Sequence, residues 1–455
     1  MKLSRRTILQ GAGSLAFAVA NFRNDALAQA PSAAQSPEVP PILFVHGNGD
    51  YDALWMTTLW RMESNGIARD RMMAINFTNP TARTDDTVEE ANRSSTEDQR
   101  RELAAAIAEL KRRTGAARVA LVGNSRGGNS IRNVIKNGGA GDVSHAVLCG
   151  TPNHGVFALD DLLGSEFNGR GTFLRGLNDG DSEVTPGTAF LTLRSDGMDK
   201  YAQPDGRFMG KPGVPTNVTA EGPELKGATN LVLGTIDHRE TAYHPRAFRE
   251  IYKFIAGREP ARIAITPERT VRLSGLVTGA VDGVPTNRPV AGAVVEVNYV
   301  DGESGERRGV VHRSTTGADG RWGPAAVDST LPLELVLTSP DAPTTHFYRS
   351  PFPRSSDVVH LRAARPFIPA DKDAGAVVIM SRPRGYFGLP RDTVLFDGQE
   401  PADVHPGVPT DATATLRLPA SEGRRNIVAQ FNEERIVARA WPASENRIAV
   451  AELTY

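Results

Sequence analysis

The apolar run Val119-Ala120-Leu121-Val122 leads straight into Gly123-Asn124-Ser125-Arg126-Gly127, and Ile131, Val134 and Ile135 then recur at helical spacing. A strand that becomes a helix within so few residues needs a sharp turn, and the residue at its apex must accept strained backbone angles. The flanking residues must be small so that other backbone can approach, and Gly123 and Gly127 supply that room. The apex residue is a serine with the amides of a helix N-terminus aimed at it, which makes Ser125 the candidate nucleophile.

A second apolar strand, Ile42-Leu43-Phe44-Val45, ends in His46-Gly47-Asn48-Gly49-Asp50. Glycines there let the backbone amide of Asn48 point inward. With the amide of Arg126, directly after the serine, it would give two donors for a tetrahedral oxyanion; an ordinary turn between strand and helix is the plainer reading. A serine hydroxyl also needs an imidazole within reach to take its proton, and a carboxylate to fix that imidazole's tautomer. The chain has nine histidines.

The pair of motifs, strand-His46-Gly47-Asn48-Gly49 and strand-Gly123-Asn124-Ser125-Arg126-Gly127, resembles the α/β-hydrolase superfamily, in particular its bacterial lipases and esterases, over about residues 40 to 257. The resemblance implies a doubly wound, mostly parallel sheet and hydrolysis of carboxylic esters through an acyl-enzyme. It places the base in the loop after the last strand, where His238 stands, with His244 competing. It places the acid after the preceding strand, where Asp199 and Gln203-Pro204 are similar to an Asp-x-x-x-Gln-Pro segment of several lipases; Asp196, in Asp196-Gly197, is the alternative. Gly150-Thr151-Pro152-Asn153-His154-Gly155 is also similar to a lipase pattern, with His154 read as structuring its loop. Lipases of this type usually carry His or Tyr before the nucleophile and a small or apolar residue after it. Asn124 and Arg126 depart from that.

Strand signals over Ile42–Val45, Arg71–Phe77, Arg118–Val122, His145–Cys149, Ala189–Arg194 and Asn230–Leu233 alternate with helical patterns over 53–64, 96–114, 126–137 and 244–256, the rhythm of a parallel sheet covered by helices. The stretch 155–188, rich in Gly and Asp, predicts an irregular excursion over the sheet's C-terminal edge, either a lid or a plain loop. From about 262 the texture changes to short β-branched runs with turn residues, the signature of a β-sandwich. Val271–Val277, Pro289–Val297 and Thr315–Trp322 resemble the transthyretin-like, carboxypeptidase-regulatory-like module, expected over 262–365. Residues 366–455 predict a second β-rich domain or strands that extend the first. The tail's Tyr299, Trp322, Phe347, Tyr348, Phe352, Tyr386 and Phe387 read as core before they read as a docking patch.

Composition narrows the function. Lys and Arg total 52 against 53 Asp and Glu, a net charge of −1, which argues against nucleic acid or an anionic membrane as the main partner. Ser4-Arg5-Arg6-Thr7-Ile8-Leu9 followed by a weakly apolar stretch reads as a twin-arginine export signal over residues 1–30, cut after Ala28 or Ala30, with a Pro-rich linker at 31–41. Such a signal predicts a partner in the twin-arginine machinery and a periplasmic or secreted mature chain, in which no run approaches the ~20 apolar residues of a membrane span. The single cysteine, Cys149, forbids an internal disulfide and reads as a buried small hydrophobe. No metal-ligand spacing or phosphate-binding glycine loop occurs, so neither metal nor cofactor is expected. A polyester depolymerase using the same triad, and a non-catalytic binding protein on a hydrolase scaffold, are the alternatives.

Overall fold

The structure, a computed structural model, describes residues 38–340 and 342–455; the twin-arginine segment and both cleavage positions lie outside them. Strands β1 (Ile42–Val45), β2 (Met72–Ala74), β3 (Val119–Asn124), β4 (Val143–Cys149), β5 (Ala189–Arg194) and β6 (Thr229–Val232) form one sheet in the order β2-β1-β3-β4-β5-β6. Every adjacent pair runs parallel. Helices α1 (Met56–Ser64), α2 (Thr96–Thr114), α3 (Arg126–Lys136), α4 (Thr172–Leu177), α5 (Glu240–Tyr243) and α6 (Pro245–Ala256) accompany it.

Alternation along β1 divides the two faces. Ile42 and Phe44 join a core with Leu59 and Trp60 of α1 and Phe248 and Ile251 of α6. Leu43 and Val45 join another with Leu103 and Leu110 of α2 and Ile131 and Val134 of α3. Burial on both faces is why these strands read as unbroken apolar runs. The helix α2 starts on a capping box between Ser95 and Asp98 and stops at Gly115, whose φ of 68° is left-handed.

Two elements differ from expectation. The second strand is three residues long because the Phe77 N–H donates to His46 Nε2 at 3.2 Å, which takes it out of the strand ladder. The pattern over 244–256 loses its first residue to a helix cap: His244 has ψ 144°, its Nδ1 accepts from the Arg246 N–H at 3.2 Å, and Pro245 opens α6. The stretch 155–188 is irregular apart from α4.

Beyond residue 269 the chain is built mainly of strands, with one short helix at Pro369–Lys372: β7 (Thr270–Val281), β8 (Val284–Pro289), β9 (Val294–Val300), β10 (Arg307–Thr315), β11 (Arg321–Asp328), β12 (Leu333–Thr338), β13 (Thr344–Arg349), β14 (Leu361–Arg362), β15 (Ala376–Ser381), β16 (Val394–Phe396), β17 (Thr413–Leu418), β18 (Asn426–Phe431), β19 (Glu434–Arg439) and β20 (Arg447–Glu452). One sheet runs β10-β9-β12-β13-β20-β15-β17, a second β11-β7-β14 with β8 on β7, and a third β16-β18-β19. The last strand lies between β13 and β15, parallel to both, so residues 366–455 extend the sheet that the preceding segment begins. The core around Phe44 and Phe248 continues without a break into Val271, Leu273, Val295 and Leu335. Trp322, Phe347, Tyr348, Phe352 and Phe387 are all buried. No helix among the described residues is long and apolar enough to cross a membrane.

Candidate active site

At the end of β3, Ser125 takes φ 53° and ψ −125°, a backbone conformation that costs a non-glycine residue on the order of 1–3 kcal/mol. The surroundings enforce it. Its N–H donates to the Cys149 carbonyl at the end of β4 at 2.9 Å, and its own carbonyl accepts from the Gly128 N–H at 3.0 Å. A side chain at Gly123 would meet Ile131 Cδ1 at 2.6 Å and the Gly128 nitrogen at 2.8 Å; one at Gly127 would press into the carbonyls of Val45 and His46.

The loop after β1 passes close by, since a Cβ on Gly47 would lie 3.0 Å from that of Ser125. Asn48 is held by Ala82, whose N–H donates to its Oδ1 at 2.8 Å. Arg126 opens α3, so its N–H has no acceptor within the helix. His46 faces away, with Nδ1 2.9 Å from the Gly47 carbonyl and Nε2 on Phe77; burial lowers its pKa.

His238 sits in the loop after β6, with Nδ1 2.8 Å from Asp199 Oδ2. Its Nε2 is buried and has no hydrogen-bond partner among the described residues. Ser125, Asn48 and His238 line one cavity of about 80 Å³. A chamber of about 340 Å³ lies behind it, sharing Pro152, Tyr201 and His238 and bounded also by Asp199 and His154.

Of the two candidate acids, the structure brings Asp199 to the imidazole. Its other oxygen accepts from the Tyr201 N–H at 2.8 Å, and Gln203 Nε2 donates back to the Asp199 and Gly197 carbonyls at 2.8 and 2.9 Å. Asp196 instead accepts from the N–H groups of Met198 at 3.1 Å and Thr235 at 2.8 Å, tying two loops together. His244 caps α6, and burial pushes its pKa down to about 4. His154 Nε2 lies 3.0 Å from Glu183 Oε1. Cys149 is buried and its thiol pKa is raised by that burial.

The two departures around Ser125 have structural uses. Asn124 donates to the Cys149 carbonyl at 3.1 Å and to the His238 carbonyl and Thr241 Oγ1 at 3.4 Å, linking the strand to the loop of His238. The Arg126 side chain, 2% exposed, pairs with Glu166 through both ends of the guanidinium and also donates to Ser94 and to the Pro80 carbonyl. Burial raises the pKa of Glu166, against the pull of Arg126.

The strand-rich region reaches the same centre, which no local pattern announced. Asn287 of β8 donates to the carbonyls of Asp50 and Phe77 at 3.0 Å each, and His360 stacks on Tyr51 at 4.1 Å, so the loop after β1 is gripped from that side. Arg382 pairs with Asp237 at 2.9 Å and Glu240 at 2.6 Å on either side of His238, and Arg391 adds a contact to Glu240 at 2.9 Å. Tyr386 and Tyr201 line the cavity that holds Ser125.

Residues 41–190 match the profile of the palmitoyl protein thioesterase family, and residues 269–366 that of the lipase C-terminal domain. No curated protein matches the chain. Among solved structures, a Bacillus licheniformis lipase in its propeptide form is 14% identical, covering 89% of this chain and 93% of its own at a TM-score of 0.36. The mature form of that lipase is 20% identical over 50% of this chain and 96% of its own, TM-score 0.34. A Listeria innocua gene product is 17% identical over 50% and 97%, TM-score 0.34. With its parallel six-stranded sheet and a serine at the strand-to-helix turn, the chain has the α/β-hydrolase fold followed by a β-rich region, and it is similar to palmitoyl protein thioesterases over residues 41–190 and to lipase C-terminal domains over 269–366.

Proposed function

We propose that the protein is an exported serine hydrolase that cleaves carboxylic esters through an acyl-enzyme, with Ser125 as nucleophile, His238 as base and Asp199 as the acid that orients it. The observation that carries this reading is the His238–Asp199 bond of 2.8 Å, with the opposite ring nitrogen buried and without a hydrogen-bond partner among the described residues, and with His238 and Ser125 lining one cavity. Ser125 Oγ attacks the ester carbonyl as His238 Nε2 takes its proton. The amides of Asn48 and Arg126 stabilise the oxyanion, and His238 returns the proton to the departing alcohol; water then repeats the sequence on the acyl-enzyme. Export rests on the Arg5-Arg6 segment of the sequence. The match of residues 41–190 to palmitoyl protein thioesterases favours thioesters as a second substrate class, since the same machinery serves a thiol leaving group.

Hydrolysis of nitrophenyl esters across acyl lengths, with a palmitoyl thioester alongside, tests the reading. Ser125→Ala and His238→Ala should each lose at least ~10³-fold in kcat, and Asp199→Asn about 10⁴-fold. Turnover by Ser125→Ala at the wild-type rate would remove the nucleophile assignment. Failure to hydrolyse any ester or thioester would favour a non-catalytic binding protein.

A further inference from the structure

An ester carbon under attack by Ser125 has to lie in the cavity that Ser125, Asn48 and His238 line, so the acyl group begins there. That cavity is about 80 Å³. An apolar cavity of about 150 Å³ takes up benzene, so this one has room for a group of roughly two to four carbons. The chamber of about 340 Å³ adjoins it through Pro152, Tyr201 and His238. His238 is the residue that hands its proton to the leaving group, so the larger space lies on the side of the departing alcohol or thiol and does not lengthen the acyl side.

The acyl side is closed by an apolar cluster of its own. Val156, Phe167 and Met209 line the cavity and pack with Phe157 and Leu159, apart from the cores on the two faces of the sheet. The cluster comes from two stretches, 155–169 and 201–216, that backbone hydrogen bonds tie together. The Val156 N–H donates to the Phe167 carbonyl at 3.0 Å, the Gly169 N–H to that of Phe157 at 2.7 Å, and the Ala158 N–H to that of Thr216 at 2.7 Å. The buried pair of Arg126 with Glu166 fixes the residue just before Phe167. Elsewhere the cavity wall carries charge: Arg239 and Asp50 stand 3.6 Å apart, and an alkyl chain that continued that way would strip water from both.

We infer that the site takes esters and thioesters of short acyl groups, of about four carbons or fewer, and that Phe167 and Met209 set the limit. The inference rests on the triad reading above and gives it a substrate class. A palmitoyl chain is several times too long for this space. In an apolar pocket one methylene too many or too few changes kcat/KM by roughly tenfold or more.

The test is the ratio of kcat/KM for nitrophenyl octanoate to that for nitrophenyl butyrate, measured on the full mature chain. A ratio between two substrates of one preparation does not depend on how much of it is folded. The wild-type ratio should be about 10⁻² or lower. Phe167→Ala, which opens space on the order of the 150 Å³ that takes benzene, should raise it at least ~10-fold, and Met209→Ala should raise it by less. Leu163→Ala, on the same excursion but 46% exposed, should leave it within about twofold. A wild-type chain that turns over octanoate or a palmitoyl thioester as fast as butyrate would overturn the inference. So would an unchanged ratio in both Phe167→Ala and Met209→Ala, or a rise in Leu163→Ala as large as that in Phe167→Ala. Ser125→Ala separates the two levels of failure: if it is inactive while the wild type prefers octanoate or longer, only this inference falls, whereas if it keeps the wild-type rate the triad reading falls first.

Discussion

Two buried ion-pair clusters flank Ser125, and they differ in what they join. Arg126 and Glu166 are 2% and 3% exposed and lie wholly within the α/β half, fastening the 155–188 excursion to the loop around Pro80 and Ser94. Arg382 and Arg391, with Asp237 and Glu240, fasten the β-rich region to the loop that carries His238. The first shapes the entrance from material next to the serine; the second makes a distant part of the chain a condition for a well-placed imidazole. Buried ion pairs add little net stability compared with apolar packing, yet losing one partner is costly because the other charge stays buried. The clusters should therefore respond differently to the same kind of damage.

Arg382→Met should have the largest effect. It leaves Asp237, fully buried and already raised in pKa by desolvation, facing Arg391 at 4.0 Å, and it releases the Tyr386 carbonyl. Denaturant unfolding should show a loss of about 3–5 kcal/mol, and kcat of the folded fraction should fall about 10²-fold. A stable variant with full kcat would erase the contrast between the clusters. Arg126→Met should cost about 3 kcal/mol with kcat held within about tenfold, because the oxyanion donor is a main-chain amide that substitution leaves in place.

The Arg126→Met loss should also depend on pH. A carboxyl whose folded pKa lies above its unfolded value binds more protons folded, so stability is greatest in acid and declines as pH rises through the folded value. Glu166 is raised by burial and would rise further without Arg126, so the deficit should be smaller at about pH 5 than at about pH 8. An equal deficit at both would mean that Glu166 stays ionised in the variant. Asp196→Asn should have the smallest effect, about 1 kcal/mol for a weakened loop tie and kcat within about threefold. A loss in kcat as deep as that of Asp199→Asn would reassign the acid.

Much of this was legible because it is local. The serine turn, the glycines beside it and the apolar runs of β1, β3 and β4 all express short-range constraints, and the Asp-x-x-x-Gln spacing survives as a bond from Gln203 to the Asp199 carbonyl. The end of β2 was not legible, since it depends on an imidazole 31 residues earlier capturing the Phe77 N–H. Nor were Arg382 and Asn287: charged and polar side chains far along the chain read as surface until the partners that bury them are known. Arg126 illustrates the same limit at close range, for a residue that looked misplaced beside a nucleophile is saturated by Glu166, Ser94 and Pro80.

The place of β20 bears on how the molecule is made. Residues 447–452 form an interior strand, hydrogen-bonded to β13 on one side and β15 on the other. A nascent chain that has emerged only as far as residue 446 holds two half-sheets with facing unpaired edges, the kind of surface that pairs with neighbouring chains. Closure of this sheet therefore waits for residues 447–452, and chains cut short before Arg447 should be far more open to protease than chains that include β20.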